Sequence, residues 1–179
     1  MVEVSRLEKI LSDLLDYTQK EPPTFGEVDL LQILEESFSL VSKELNGGQV
    51  ELAKEYLEGI PKVKGDHRQL IQVFSNLFNN AYEAMKGKGT LSLRVGPVTK
   101  NGSTFVRIEV EDTGSGIDPE NLHNIFNPFY STKESSLGLG LPMVHRIITS
   151  HRGQIEVDNH PGRGVNFIIT LPVQKEGRK

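Results

Sequence analysis

Apolar residues recur along the chain in two rhythms, and the rhythms divide it into elements. Over 3–19, Val4, Leu7, Leu11, Leu14 and Thr18 fall at spacings of three and four, with Ile10 and Leu15 widening the stripe. That spacing predicts an amphipathic, coiled-coil-like helix. Its stripe needs a partner, either the body of the domain or a bundle with other chains. Glu21-Pro22-Pro23 stops the helix, because the residue before a proline disfavours helical backbone. Asp29 then caps a second helix, with Gln32 as capping-box partner. Its apolar set is Leu30, Ile33, Leu34, Phe38, Val41 and Leu45, and Asn46-Gly47-Gly48 ends it.

Residues 49–57 read as a strand. Gly65-Asp66 leads into a helix from His67 to about Met85, closed by Gly87 and Gly89. Two strands follow, 90–95 and 104–111, the second alternating Val106, Ile108 and Val110. Asn101-Gly102 between them is a strong hairpin signal. A further helix begins near Gly138 and runs to Gly153. The last two strands, 154–159 and 165–171, are joined by a turn containing Pro161-Gly162-Arg163-Gly164. This order predicts an α+β two-layer sandwich, a mixed sheet with helices on one face.

Composition narrows the function. The chain has 179 residues, 36% hydrophobic and 25% charged, enough for a packed core of one domain plus an extra element. The net charge is −4 with no basic block, which leaves a nucleic-acid groove or membrane-surface role unsupported. The absence of cysteine excludes disulfides and thiolate metal sites. No signal peptide or long apolar run appears. The expected setting is cytoplasmic, with any membrane attachment in segments outside these residues.

Candidate chemistry concentrates between Asp112 and His145. Asp112 precedes Gly114 and Gly116, and Gly138-Leu139-Gly140-Leu141 runs into an apolar helical pattern. A strand ending in Asp and Gly-x-Gly forms a pocket wall, with the carboxylate placed to accept from an exocyclic amine and the glycines letting backbone approach the ring. A glycine-rich turn at a helix N-terminus is a phosphate seat, because free N–H groups and the helix dipole favour an anion. The polar segment between, with Phe126, Phe129, Tyr130 and Lys133, has the length of a lid or binding loop. On the helix at 66–85, Asn76 and Asn80 share one face. Asn is a poor helix former there, and two carboxamide oxygens on one face suit a hydrated Mg²⁺ whose other ligands are phosphate oxygens. Each feature alone also fits an ordinary turn, cap or solvated side chain. The five histidines show no ligand spacing and are assigned no chemistry.

Taken together, the motifs resemble those of sensor histidine kinases of the nitrogen-regulation and sporulation type. QVFSNLFNNAYEAM resembles their N box, DTGSGI their first glycine box, IFNPFYSTK their phenylalanine box and GLGLPMVHRII their second glycine box. HRGQIEVDNHPGRGVNFIITLP resembles the closing strand pair. The resemblance covers about 25–173, in order and spacing. It implies the Bergerat ATP-binding fold, with ATP and Mg²⁺ as cofactors. Asn80 would bind Mg²⁺ with Asn76 in support, and Asp112 would take the adenine amine. Gly114, Gly116, Gly138 and Gly140 would shape pocket and lid, with Ile117, Phe126, Leu139 and Leu141 completing the nucleotide-binding set. Lys133 would meet the γ-phosphate and, with Asn76, serve catalysis.

The resemblance extends to the first helix. RLEKILSDLLDYTQ is similar to the second helix of the family's dimerisation and phosphotransfer hairpin. The implied organisation is residues 1–21 as part of that hairpin, 25–173 as the catalytic domain and 174–179 as a polar tail. The implied activity is transfer of the ATP γ-phosphoryl group to a histidine on a missing helix, and thence to the receiver domain of a response regulator. The implied assembly is a homodimer through the complete hairpin. No histidine here lies in a phospho-acceptor context, so these residues alone are not expected to autophosphorylate. Three departures stand out. Ser136 and Leu137 replace the first two residues of the usual Gly-Thr-Gly-Leu-Gly-Leu. Glu83 stands where many members have a basic residue, leaving phosphate charge to Lys133 or Arg146. Val165 replaces a common Thr. Mismatch-repair and chaperone ATPases of the superfamily use a Glu base on the Asn helix, where this chain has Asn76. An anti-sigma-type serine kinase and a non-catalytic ATP-binding module remain alternatives.

Overall fold

The structure, a computed structural model, describes Leu14 and residues 22–44, 49–133 and 136–173. The N-terminal helix, apart from Leu14, and the Asn46-Gly47-Gly48 stop lie outside the described residues, as does the tail. In chain order the elements are β1 (Gly26–Val28), α1 (Leu30–Glu44), β2 (Gln49–Tyr56), β3 (Val63–Gly65), α2 (His67–Met85), β4 (Lys88–Lys100), β5 (Ser103–Asp112), a 3₁₀ turn (Leu122–Asn124), α3 (Gly140–Ser150), β6 (Gln154–His160) and β7 (Gly164–Pro172). The main sheet has the order β2-β4-β5-β7-β6, with β2 parallel to β4 and the other pairs antiparallel. This is the expected mixed sheet. β1 and β3, three residues each, form a separate antiparallel pair that hydrophobic periodicity does not announce. No described helix is long and apolar enough to cross a membrane.

The helices sit where their apolar faces require. α2 carries Leu70, Val73, Phe74, Leu77, Phe78 and Ala81 as its buried stripe, the three-and-four spacing of a core-facing helix. It lies over β4 and β5 and packs against α1 and α3. Phe74 and Phe78 are fully buried, each contributing roughly 1.5–3 kcal/mol by burial. Asp66 caps α2 by accepting from the Gln69 N–H at 3.0 Å. Asp29 caps α1 as expected, accepting from Leu31 and Gln32 N–H groups. The Gln32 side chain does not complete a capping box; its Nε2 donates instead to the Glu36 carboxylate one turn on, at 2.7 Å, a charge-assisted bond that turns the amide along the helix. The β4–β5 hairpin is longer than its apolar alternation suggests, and Asn101 (φ 51°) and Gly102 (φ 73°) make the type I′ turn.

On β4 and β5 the inward row is Leu91, Leu93, Val95, Val106, Ile108 and Val110. The outward row is polar and interlocked. Arg94 donates to Glu109 and Glu111, Arg107 donates to Glu109, and Asn166 of β7 donates to Glu109 at 3.0 Å. Burial opposes the Glu109 charge, but Arg107, Arg94 and Asn166 outweigh it and hold its carboxyl at about 2 instead of 4.5. A depressed carboxyl stabilises the fold above its unfolded value and loses that contribution as pH falls through the folded value. Unfolding free energies measured by denaturant titration from pH 5 to pH 2 should therefore fall more steeply for this chain than for Glu109→Gln, by about 1–3 kcal/mol. Parallel curves would exclude the ladder as a stabilising unit.

Candidate functional site

Asp112 is the last residue of β5 and continues its inward row, so its carboxylate is buried, 4% exposed. A buried carboxylate needs donors. The Gly114 N–H supplies one at 2.8 Å, and the Val165 N–H another. Burial raises the Asp112 pKa, these two bonds oppose the rise, and neighbouring Glu111 adds to it. The loop after Asp112 lies on α2, since a Cβ built at Gly114 would stand 2.8 Å from Ala84 Cβ. Gly116 has φ 67°. Ile117 is fixed by Asn159 of β6, whose Oδ1 accepts its N–H and whose Nδ2 donates to its C=O, both at 2.8 Å. Sequence reasoning missed Asn159; a lone Asn before a Pro-Gly turn carries no signal that its amide mimics a strand partner.

Asn76 and Asn80 project from α2 on one side, both half-buried. Asn76 Nδ2 donates to the Gln72 carbonyl at 2.9 Å, which orients its amide. Asn76 Oδ1 then meets the start of α3, and a Cβ at Gly140 would lie 2.8 Å from it. Asn76, Asn80 and the first turn of α3 therefore meet at one place. α3 begins at Gly140, two residues later than expected, with Leu139 in the N-cap position and no side-chain cap. The Leu139 side chain is 2% exposed and anchors the turn in the core, while Leu141 is half-buried against it. Pro142 has no N–H, so the helix start presents the N–H groups of Gly140 and Leu141 ahead of it. No group of three His, Cys, Asp or Glu side chains with metal-ligand proximity occurs among the described residues.

The segment between the glycine turns is not structureless. Successive three-residue turns run through Asn121, Asn124, Asn127 and Tyr130, and Ile125 is buried. Phe126 packs against the core with its ring 5.4 Å from the His145 ring. Phe129 is 65% exposed with φ 66°. Lys133 forms an ion pair with Glu83, three residues beyond Asn80 on the same side of α2. Glu83, expected only as a departure, is thus a partner of Lys133. Arg146 is exposed on α3.

Residues 65–175 match the family described as histidine kinase-, DNA gyrase B-, and HSP90-like ATPase. The chain belongs to this family. It is 33% identical to the sensor histidine kinase ZraS of Escherichia coli (strain K12) over 171 residues, 96% of this chain and 36% of that protein. It thus spans about a third of that relative's length. Full-length ShkA in complex with AMPPNP superposes with a TM-score of 0.79 at 25% identity, over 94% of this chain and 36% of that one. Histidine kinase ThkA, in complex with the response regulator TrrA, superposes with a TM-score of 0.76 at 29% identity, over 98% of this chain and 50% of that one.

Proposed function

We propose that the chain is the ATP-binding catalytic domain of a two-component sensor histidine kinase, with residues 25–173 as the domain, 1–21 as part of the dimerisation hairpin and 174–179 as a polar tail. The observation that carries this is the meeting of Asn76 Oδ1 with the uncapped start of α3, while the loop after Asp112 lies on the same helix, α2, at Ala84. Asp112 accepts from the adenine amine with the carboxylate capacity its two backbone donors leave open. Gly114, Gly116 and Ile117 form the wall beside the ring. Gly138, Leu139, Gly140 and Leu141 supply backbone to the phosphates, and Phe126 anchors the lid above them. Asn80, with Asn76, holds Mg²⁺; two neutral oxygens suit an ion bound mainly by phosphate and water. Mg²⁺ supplies neutralisation of phosphate charge. Lys133 leaves Glu83 for the γ-phosphate, and Asn76 keeps the metal-binding face oriented.

The chain's work is positioning and charge stabilisation more than covalent chemistry. The γ-phosphorus forms a bond to an imidazole nitrogen on the hairpin as its bond to the ADP oxygen breaks. The phosphoryl group then passes to a response-regulator aspartate. The AMPPNP bound to ShkA supports nucleotide binding by likeness, and the complex of ThkA with TrrA supports a response-regulator partner. The test is to mix the chain with Mg-ATP and a separately made hairpin of the parent protein. Acid-labile phosphate on histidine is expected. Bound nucleotide without transfer would replace this function by a non-catalytic ATP-binding module.

A further inference from the structure

His151 takes no part in the pocket, yet it is 3% exposed and joins three elements. It follows the last residue of α3. Its Nδ1 lies 2.8 Å from the Ile147 carbonyl, which only accepts, so Nδ1 carries the proton. Nε2 is then the bare nitrogen, and it accepts the Asp66 N–H at 2.9 Å. Asp66 in turn uses both carboxylate oxygens. Oδ1 caps α2 through Gln69, and Oδ2 accepts the Thr24 N–H at 2.6 Å. Phe25 lays its ring 4.9 Å from the His151 ring. β1 follows at once and pairs with β3, register Gly26 to Gly65. At Gly65 a Cβ would stand 3.2 Å from His151 Cδ2, so β3 has closed against the ring.

We propose that His151 is a positioning residue, a clamp that fastens residues 24–28 to the C-terminal end of α3 and to the cap of α2. The clamp lies about 16 Å along α3 from the helix start that faces Asn76. It fixes the point from which the chain before Thr24 departs. Pro22 and Pro23 immediately precede that point, and their fixed φ angles restrict the backbone there. On the kinase function proposed above, on which this consequence rests, the clamp sets how the ATP site is presented to the hairpin.

The clamp works only with a neutral ring, because protonated Nε2 becomes a donor facing the Asp66 N–H. The charged group facing the ring is the Asp66 carboxylate at the junction of β3 and α2. From α3 the ring meets the Ile147 carbonyl and the Ser150 hydroxyl, and from the leading segment it meets Phe25. Burial holds the ring below its ordinary 6.5, opposed by the Ile147 carbonyl and Asp66. A lowered histidine contributes stability above its unfolded value and loses it as pH falls through the folded one.

The test is amide hydrogen exchange on the whole chain, with protection factors corrected for the intrinsic effect of pH. His151→Phe keeps a planar aromatic side chain and removes both polar ring nitrogens, and protection over 24–28 is expected to fall at least tenfold. Affinity for Mg-AMPPNP should stay within twofold. His151→Gln, which restores an acceptor, should recover part of the protection. In the unaltered chain, protection over 24–28 should drop between pH 7 and pH 5 while that of β5 holds. Unchanged protection in folded His151→Phe, or a flat pH profile in the unaltered chain, would overturn the clamp. Failure of the unaltered chain to bind Mg-AMPPNP would overturn the ATP function and leave the exchange result standing.

Discussion

Asp112→Asn should cost the chain about 10- to 100-fold in ATP affinity, the loss expected when a charged acceptor of a buried hydrogen bond is removed. The substitution is nearly isosteric, so the fold should survive it. One amide oxygen can still accept the Gly114 N–H that now reaches Oδ1 at 2.8 Å. The other atom becomes an NH₂ group and turns a donor toward the pocket or toward the Val165 N–H. Base preference should change with it. The unaltered chain should favour ATP over inosine triphosphate, which lacks the exocyclic amine. The variant should lose that preference, since its new donor suits a 6-oxo group. Calorimetric titration of both proteins with both nucleotides measures this. Equal affinities in all four titrations would remove Asp112 from the adenine site. Because burial raises its pKa, ATP affinity in the unaltered chain should also decline on acidification, as protonation removes the acceptor.

Gly138→Ala should displace the lid. Two effects coincide there. The residue has φ 67°, a conformation that costs a side chain about 1–2 kcal/mol, and a Cβ would lie 2.2 Å from the Tyr130 carbonyl oxygen. That contact is to backbone, so the lid turn must move as a whole. Gly102→Ala is the matched control, with φ 73° and nothing within 4 Å of its added Cβ. Both variants should lose some stability to backbone strain. Only Gly138→Ala should also lose Mg-AMPPNP affinity, by tenfold or more. Thermal melts with and without nucleotide separate the two. A nucleotide-induced rise in Tm as large in Gly138→Ala as in Gly102→Ala would show that the lid turn is not part of the binding site.

Much of this was legible in the sequence, for a physical reason. α1, α2 and α3 bury continuous stripes, β4 and β5 alternate over the core, and β7 is buried along nearly its whole length, so hydrophobic pattern alone reports them. Asn76, Asn80 and Asp112 were visible because each places a polar side chain in an apolar pattern. What escaped was interaction between distant positions. β1 and β3 are too short to show a period and exist through each other. Asn159 and His151 act through backbone groups 42 and 85 residues away, and backbone partners leave no mark in side-chain type. The parallel β2–β4 pair was hidden likewise, since α2 separates its strands in the chain.

The long β4–β5 hairpin has a practical corollary. Its Asn101-Gly102 tip and Asp112 stand at opposite ends of β5, about 30 Å apart at the rise of an extended strand. The tip is exposed, and such tips tolerate insertion. A fluorophore or short affinity tag placed there would report on the molecule without crowding the bound nucleotide.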